Sequence, residues 1–388
     1  SSIFINIGLY VLVGMMLKQT RIPELLINVI KPYQLPAPIL ASVMIFATAF
    51  PTAFTGASGI FILAVGGVVY DELRRAGAGR QLSLATTAMS GSLGVVLNPC
   101  LLIVVVAALN KEVTTTELYG WGFWVFIMSA CLFTLVVCKS EGNWKPRPIQ
   151  GAFGQSVAQL RPLIPYVFMA MVVIFAIWII LGLRFNEYSA PMILPLVMMA
   201  LVALDAGKHN REAGETRASA FWTRNMAAAS DSAVHIGALL GLIGFTLCLG
   251  GILERSDIVV ELFPEDLTSP WVAMAIIVVM LTLIGMVMDP FGAVVLVSAT
   301  VAQPAIQIGI DPVHFWVVCL VAFELGYLSP PVALNHLLTR QVVGETEVLA
   351  AERTGAVWHR YERLLLPLVV MIPTLLATGF IPMLFYAL

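Results

Sequence analysis

Apolar positions in this chain come in long unbroken runs, not in the one-sided stripes of a soluble helix. IPYVFMAMVVIFAIWIILGL (164–183) and GALLGLIGFTLCLGGIL (237–253) have no polar face. They fit helices of about 20 residues crossing ~30 Å of hydrocarbon. The same pattern predicts spans over 3–17, 120–138, 162–183, 189–204, 232–253 and 364–387. A connector over 18–37 contains PELLINVIKPYQL (23–35), whose alternating character fits an interfacial helix. Four further apolar regions are interrupted by small residues and proline. Regions 38–73 and 269–308 read as re-entrant hairpins. Regions 82–109 and 312–338, which carry GSLGVVLNP and FELGYLSPPVAL, read as helices broken at proline. The short alternating segments of a β-barrel do not occur.

Composition agrees with this pattern. Hydrophobic residues make up 59% of the 388, charged residues only 11%, and mean hydropathy is +0.92. A water-soluble surface needs roughly a quarter charged residues, so the expected solvent is the lipid bilayer and the expected class is an all-α polytopic membrane protein. The net charge of −2 and the absence of basic clusters give no sign of a nucleic-acid partner. Five cysteines in apolar surroundings form no CxxC pair. No Walker-type loop and no GxSxG elbow is present, which argues against ATP-driven transport and serine hydrolysis by this chain.

Lysine and arginine set the orientation. If both hairpins return to their starting side, eighteen of the 21 basic residues share one face, leaving Lys111, Arg184 and Arg255 opposite. The positive-inside rule assigns the crowded face to the cytoplasm.

A register of 232 residues superposes 55–104 on 287–336. It brings Gly77 onto Gly309, Leu93-Gly94 onto Leu325-Gly326 and Pro99 onto Pro331. In the expected topology the two hairpins open from opposite faces, so the halves form inverted repeats. The first covers 1–138 and the second 232–388, with 139–231 connecting them. Such repeats are common in secondary transporters. Breaking a helix in lipid frees backbone groups that only buried protein or a cavity can satisfy. Two hairpin tips and two breaks therefore converge on an expected site near the midplane. There, carbonyls can hold a cation and helix N-termini can face an anion.

The candidate residues follow from those four places. Thr55, Gly56 and Ser58 lie in the first tip, PTAFTGASG, and Asn98-Pro99 in the first break. Asp289 lies in the second tip, GMVMDPFGA, and Gly326, Ser329, Pro330 and Pro331 in the second break. Asn98 offers an uncharged oxygen of the kind Na⁺ accepts. Asp289, deep in an apolar region, is an expensive carboxylate and so a functional candidate, although Asp-Pro is also a helix start. Thr55, Gly56, Asn98, Pro99, Gly326, Pro330 and Pro331 are the expected substrate-binding set. Glu324, in mid-span beside the break, is a candidate proton site. Asp231/His235 and Glu324/His336 form no metal-ligand spacing, and an enzyme using them lacks a nucleophile–base motif.

These residues carry a resemblance. TGASG, LRRAG and SGSLGVVLNPC resemble the first half of the large membrane subunit of tripartite ATP-independent periplasmic (TRAP) transporters. GMVMDPFGAVVLVSATVAQPAIQIGIDPVHFWVV with LGYLSPPVALNHLL resembles its second half, and NEYSA (186–190) another of its elements. The resemblance implies an elevator-type subunit of the bacterial inner membrane that takes up an organic acid such as a carboxylate or sialic acid. It implies a periplasmic binding protein and a small four-helix membrane subunit as partners, no cofactor, and Na⁺ as the coupling ion. Matched by motif, Ser58 with Asn98 makes one Na⁺ site and Asp289 with Ser329 the other. The chain departs from the family pattern at Asn98-Pro99-Cys100, usually Pro-Pro-Ser, at Ser329, usually Thr, and at Ala333, usually Gly. Family members normally carry further helical sequence ahead of IFINIGLYVLVGMMLK. The alternative reading is a stand-alone proton- or sodium-coupled organic-anion carrier of the same elevator group.

Overall fold

A computed structural model describes residues 2–56, 58–142, 145, 150–186, 189–209, 216–255, 269–351 and 357–386, with side chains omitted at some of them. All regular structure among these residues is helical. Among the described residues, five helices are long and apolar enough to cross a membrane, or six if the bent pair 80–96 and 101–109 counts as one. The span around Ile164–Leu181 exposes Phe168, Met171, Phe175, Trp178 and Ile180, as a helix facing lipid would.

The first half runs α1 (Ser2–Lys18), α2 (Ile22–Ile30), α3 (Ala37–Thr55), α4 (Ser58–Arg75), α5 (Arg80–Met89), α6 (Leu101–Leu109) and α7 (Thr115–Glu141). A capping box of Thr114 and Glu117 starts α7. The middle contains α8 (Ala152–Leu160), α9 (Ile164–Leu181), α10 (Ala190–His209) and α11 (Arg217–Arg255). Hydropathy marks only 232–253 of α11. The helix begins earlier because the polar, alanine-rich RASAFWTRNMAAASDSA has strong helix formers and no breaker.

The last part runs α12 (Pro270–Val287), α13 (Pro290–Thr300), α14 (Ala302–Gln307), α15 (Pro312–Leu328), α16 (Leu334–Val343), α17 (Glu345–Leu349), α18 (Val357–Phe380) and α19 (Met383–Tyr386). Two Asp-Pro pairs start helices here. Asp289 caps α13 through Phe291 N–H (3.2 Å) and Gly292 N–H (3.3 Å), and Asp311 caps α15 through His314 N–H (2.9 Å). Element boundaries repeat at the 232-residue register. α3 corresponds to α12, α4 to α13–α14, and α6 to α16, while Gly77 (φ +87°) and Gly309 (φ +101°) turn the chain at equivalent places.

The halves also touch reciprocally. α4 packs on α16, and α13 packs on α6. Asn110 donates to Ser298 Oγ at 3.0 Å, and at the equivalent positions a β-carbon on Gly66 would lie 3.3 Å from Val342 Cγ2. α17 clasps the end of the first pair. Its Glu347 accepts from Tyr70 (2.7 Å) and Arg80 (3.0 Å), bonds that hold this exposed carboxyl below its usual range.

Candidate functional site

The two helix breaks lie between buried and exposed surroundings. In the first, a 3₁₀ turn (Leu93–Val96) leads to Asn98-Pro99. In the second, α15 ends at Ser329 and the chain passes through Pro330-Pro331. Both X-Pro bonds are cis. Asn98, Pro330 and Pro331 are exposed, whereas Gly326, Ser329 and Cys100 are buried. Ser329 Oγ donates back to Leu325 O at 2.6 Å, a bond that satisfies a carbonyl next to the break.

Ala333, which stands where the family pattern has glycine, has φ +48°. A left-handed alanine costs about 1–2 kcal/mol, against about 0.4–1 kcal/mol of extra unfolded-state entropy for glycine. Ala333→Gly is therefore expected to stabilise the protein by about 0.5–1 kcal/mol, read as a rise in the thermal midpoint. A fall would mean that the left-handed turn is not the native one.

Behind the breaks lies a polar cluster drawn from four elements of both halves. Ser58 begins α4, Ser92 precedes the 3₁₀ turn, Glu324 lies in α15 and Asn335 in the first turn of α16. Their exposures are 1%, 1%, 2% and 0%. Ser58 Oγ donates to Asn335 Oδ1 at 3.2 Å, and Asn335 Nδ2 donates to Ser92 Oγ at 3.1 Å. The Glu324 carboxyl lies beside the hydroxyls of both serines, yet neither of its oxygens has a hydrogen bond of normal geometry. A buried carboxyl without such partners is costly unless a cation or a proton joins it. Glycines permit the convergence. The Ser58 carbonyl would lie 2.4 Å from a β-carbon on Gly91, and Gly56 packs on the first amides of α6.

Asp289 is also buried, at 6%, and Tyr327 lies within the electrostatic reach of both Asp289 and Glu324. Asp289 caps its helix through Oδ2 alone, which accepts from both amides. The side chains of Thr55 and His235 lie outside the described residues, as do Glu187 and Tyr188 of NEYSA; Asp231 is half-buried.

Sequence reasoning pairs Ser58 with Asn98. In the structure, the Ser58 hydroxyl goes to Asn335 and Asn98 faces outward. Ser92 and Asn335 escape the sequence reading. The signal for Ser92 was in the repeat register, which superposes it on Glu324.

A family model described as "Tripartite ATP-independent periplasmic transporter, DctM component" matches residues 1–384. The chain belongs to this family. It is 24% identical to the C4-dicarboxylate TRAP transporter large permease protein DctM of Pseudomonas aeruginosa, over 79% of the chain and 69% of that protein. It is 25% identical to the uncharacterized protein YgiK of Salmonella typhimurium, over 84% of the chain and 73% of that protein. A shorter match, 27% identical over 30% of the chain and 17% of the relative, is to the isethionate TRAP transporter permease protein DctMQ of Oleidesulfovibrio alaskensis. A DctM component is a transporter subunit and not an enzyme. The absence of a nucleotide-binding loop fits an ATP-independent system.

Proposed function

We propose that this DctM component is the transport subunit of a Na⁺-coupled system importing an organic acid across the bacterial inner membrane. The acid is a carboxylate such as a C4-dicarboxylate, or a sialic-acid-like one. A periplasmic binding protein delivers it, and a small four-helix membrane subunit braces the chain. Regions 38–73 and 269–308 act as re-entrant hairpins of inverted repeats, and the core they form moves as an elevator against the remaining spans. The observation that carries the reading is the convergence of Ser58, Ser92, Glu324 and Asn335 from both halves. Four oxygen-bearing side chains, one of them a carboxyl without normal hydrogen bonds, suit a small hard cation.

A negative Glu324 repels an organic anion, so the acid belongs elsewhere. α6 and α16 start at the breaks after Cys100 and Ala333, with no hydroxyl or carboxylate capping their first amides. Such N-termini favour a carboxylate, and Asn98, Pro99, Pro330 and Pro331 lie beside them. Asp289 and Ser329 make the second cation site.

Thermal unfolding of the purified protein in NaCl against KCl, at constant ionic strength and several pH values, tests this without knowledge of the acid. The expected result is a saturable Na⁺-specific rise of a few degrees, reduced in Ser58→Ala and in Asp289→Asn. Identical curves in the two salts would overturn Na⁺ coupling. If stability followed pH instead, the Glu324 carboxyl would favour the proton-coupled carrier.

A further inference from the structure

Glu141, His359 and Glu362 belong neither to the polar cluster nor to either break. Glu141 is the last residue of α7, and His359 and Glu362 lie on one face of the first turns of α18. Their ligand atoms all lie within 4.8 Å of one another, with His359 Nδ1 3.9 Å from Glu362 Oε2. Glu362 is 2% exposed. Its Oε1 is held by Trp358 Nε1–H at 3.3 Å and approached by the Ser140 hydroxyl at 3.5 Å, while Oε2 faces the imidazole. Among the described residues, His359 is the one basic group within ion-pair distance of either carboxylate.

We infer that these three side chains form a binding site for a divalent transition-metal ion of the zinc type, which ties the end of α7 to the start of α18. The chemistry of the donors selects the ion. Two carboxylates supply charge, and an imidazole nitrogen favours zinc over magnesium or calcium, which take oxygen ligands. A tetrahedral site with bonds of ~2.1 Å needs ligand atoms about 3.4 Å apart, so the cluster contracts slightly on binding. Trp358 and Ser140 fix one oxygen of Glu362 and so aim the other, as partners behind a metal ligand commonly do.

The test is thermal unfolding of the full chain, purified metal-free in detergent, titrated with ZnCl₂ and in parallel with MgCl₂. Zn²⁺ is expected to give a saturable rise in midpoint and Mg²⁺ none. His359→Ala, measured against its own metal-free midpoint, should weaken Zn²⁺ binding at least about tenfold. Glu141→Gln should weaken it similarly. A Zn²⁺ response that is absent, or undiminished in His359→Ala, would overturn the site. The second outcome would place the ion at another of the five histidines.

Discussion

Glu324→Gln is expected to leave the protein as stable as the wild type, or more so, while weakening sodium binding by about tenfold to a hundredfold. The two halves of this result come from one observation. Both carboxyl oxygens of Glu324 are buried without hydrogen bonds of normal geometry, although two serine hydroxyls lie alongside. Such a group contributes nothing to holding the empty protein together, and its neutral isostere removes a desolvation penalty. Toward a cation, the same substitution deletes the single charge among four oxygen donors. Interactions with a charged group are worth about 1.5–3 kcal/mol, which converts to the stated loss of affinity. Thermal midpoints in KCl and radiosodium binding by the purified protein measure the two effects separately. A midpoint that fell in step with sodium affinity would make Glu324 a structural residue and remove the first cation site from the proposal. Ser92→Ala, which removes an uncharged donor at the position equivalent to Glu324, should give a smaller loss of the same kind.

Much of the fold was legible because lipid leaves a helix few options. Unbroken apolar runs marked four of the five span-length helices among the described residues, whereas the fifth, Pro270–Val287, fell in a region read as a hairpin; proline with glycine marked the interruptions at 98–99 and 329–331. Asp-Pro at 289–290 and 311–312 marked two helix starts. Repeat register came from the order of those breaks, and the family from motifs carried mainly by the second half. The polar cluster was only half legible. Glu324 stood out because a carboxyl in mid-span is rare. Asn335 and Ser92 did not, because an uncharged side chain near a helix end has many local uses and no period announces a distant partner. Their bonds join residues 277 and 243 positions apart. Asn98 was paired with Ser58 by the family's motifs within the first half, yet in the folded chain the amide that bonds Ser58 is Asn335 of the other half. That is a consequence of α16 packing on α4, a long-range contact that hydropathy does not encode.

Gly326→Ala and Gly94→Ala are each expected to destabilise the protein by about 1–3 kcal/mol and to weaken sodium binding as well. The two glycines are equivalent in the 232-residue register, and both serve as close contacts. A β-carbon on Gly326 would lie 2.5 Å from the carbonyl carbon of Gly285 and 2.7 Å from Met286 N and Thr282 O, all backbone atoms of α12. One on Gly94 would lie 2.3 Å from Ala49 O in α3. Neither contact can be relieved by turning a side chain, so the helix must shift against its neighbour, as where small residues let membrane helices approach closely. Two residues before each glycine stands a member of the polar cluster, Ser92 before Gly94 and Glu324 before Gly326. Moving either break outward therefore pulls a residue of the proposed cation site away from its neighbours in the other half. Gly79→Ala, where a β-carbon meets nothing within 4 Å, is the control that should change neither property. Thermal unfolding and sodium titration of the three variants decide the matter. If Gly326→Ala lowered stability but left sodium affinity intact, the close crossing of α12 and α15 would be packing alone, and the position of Glu324 would not depend on it.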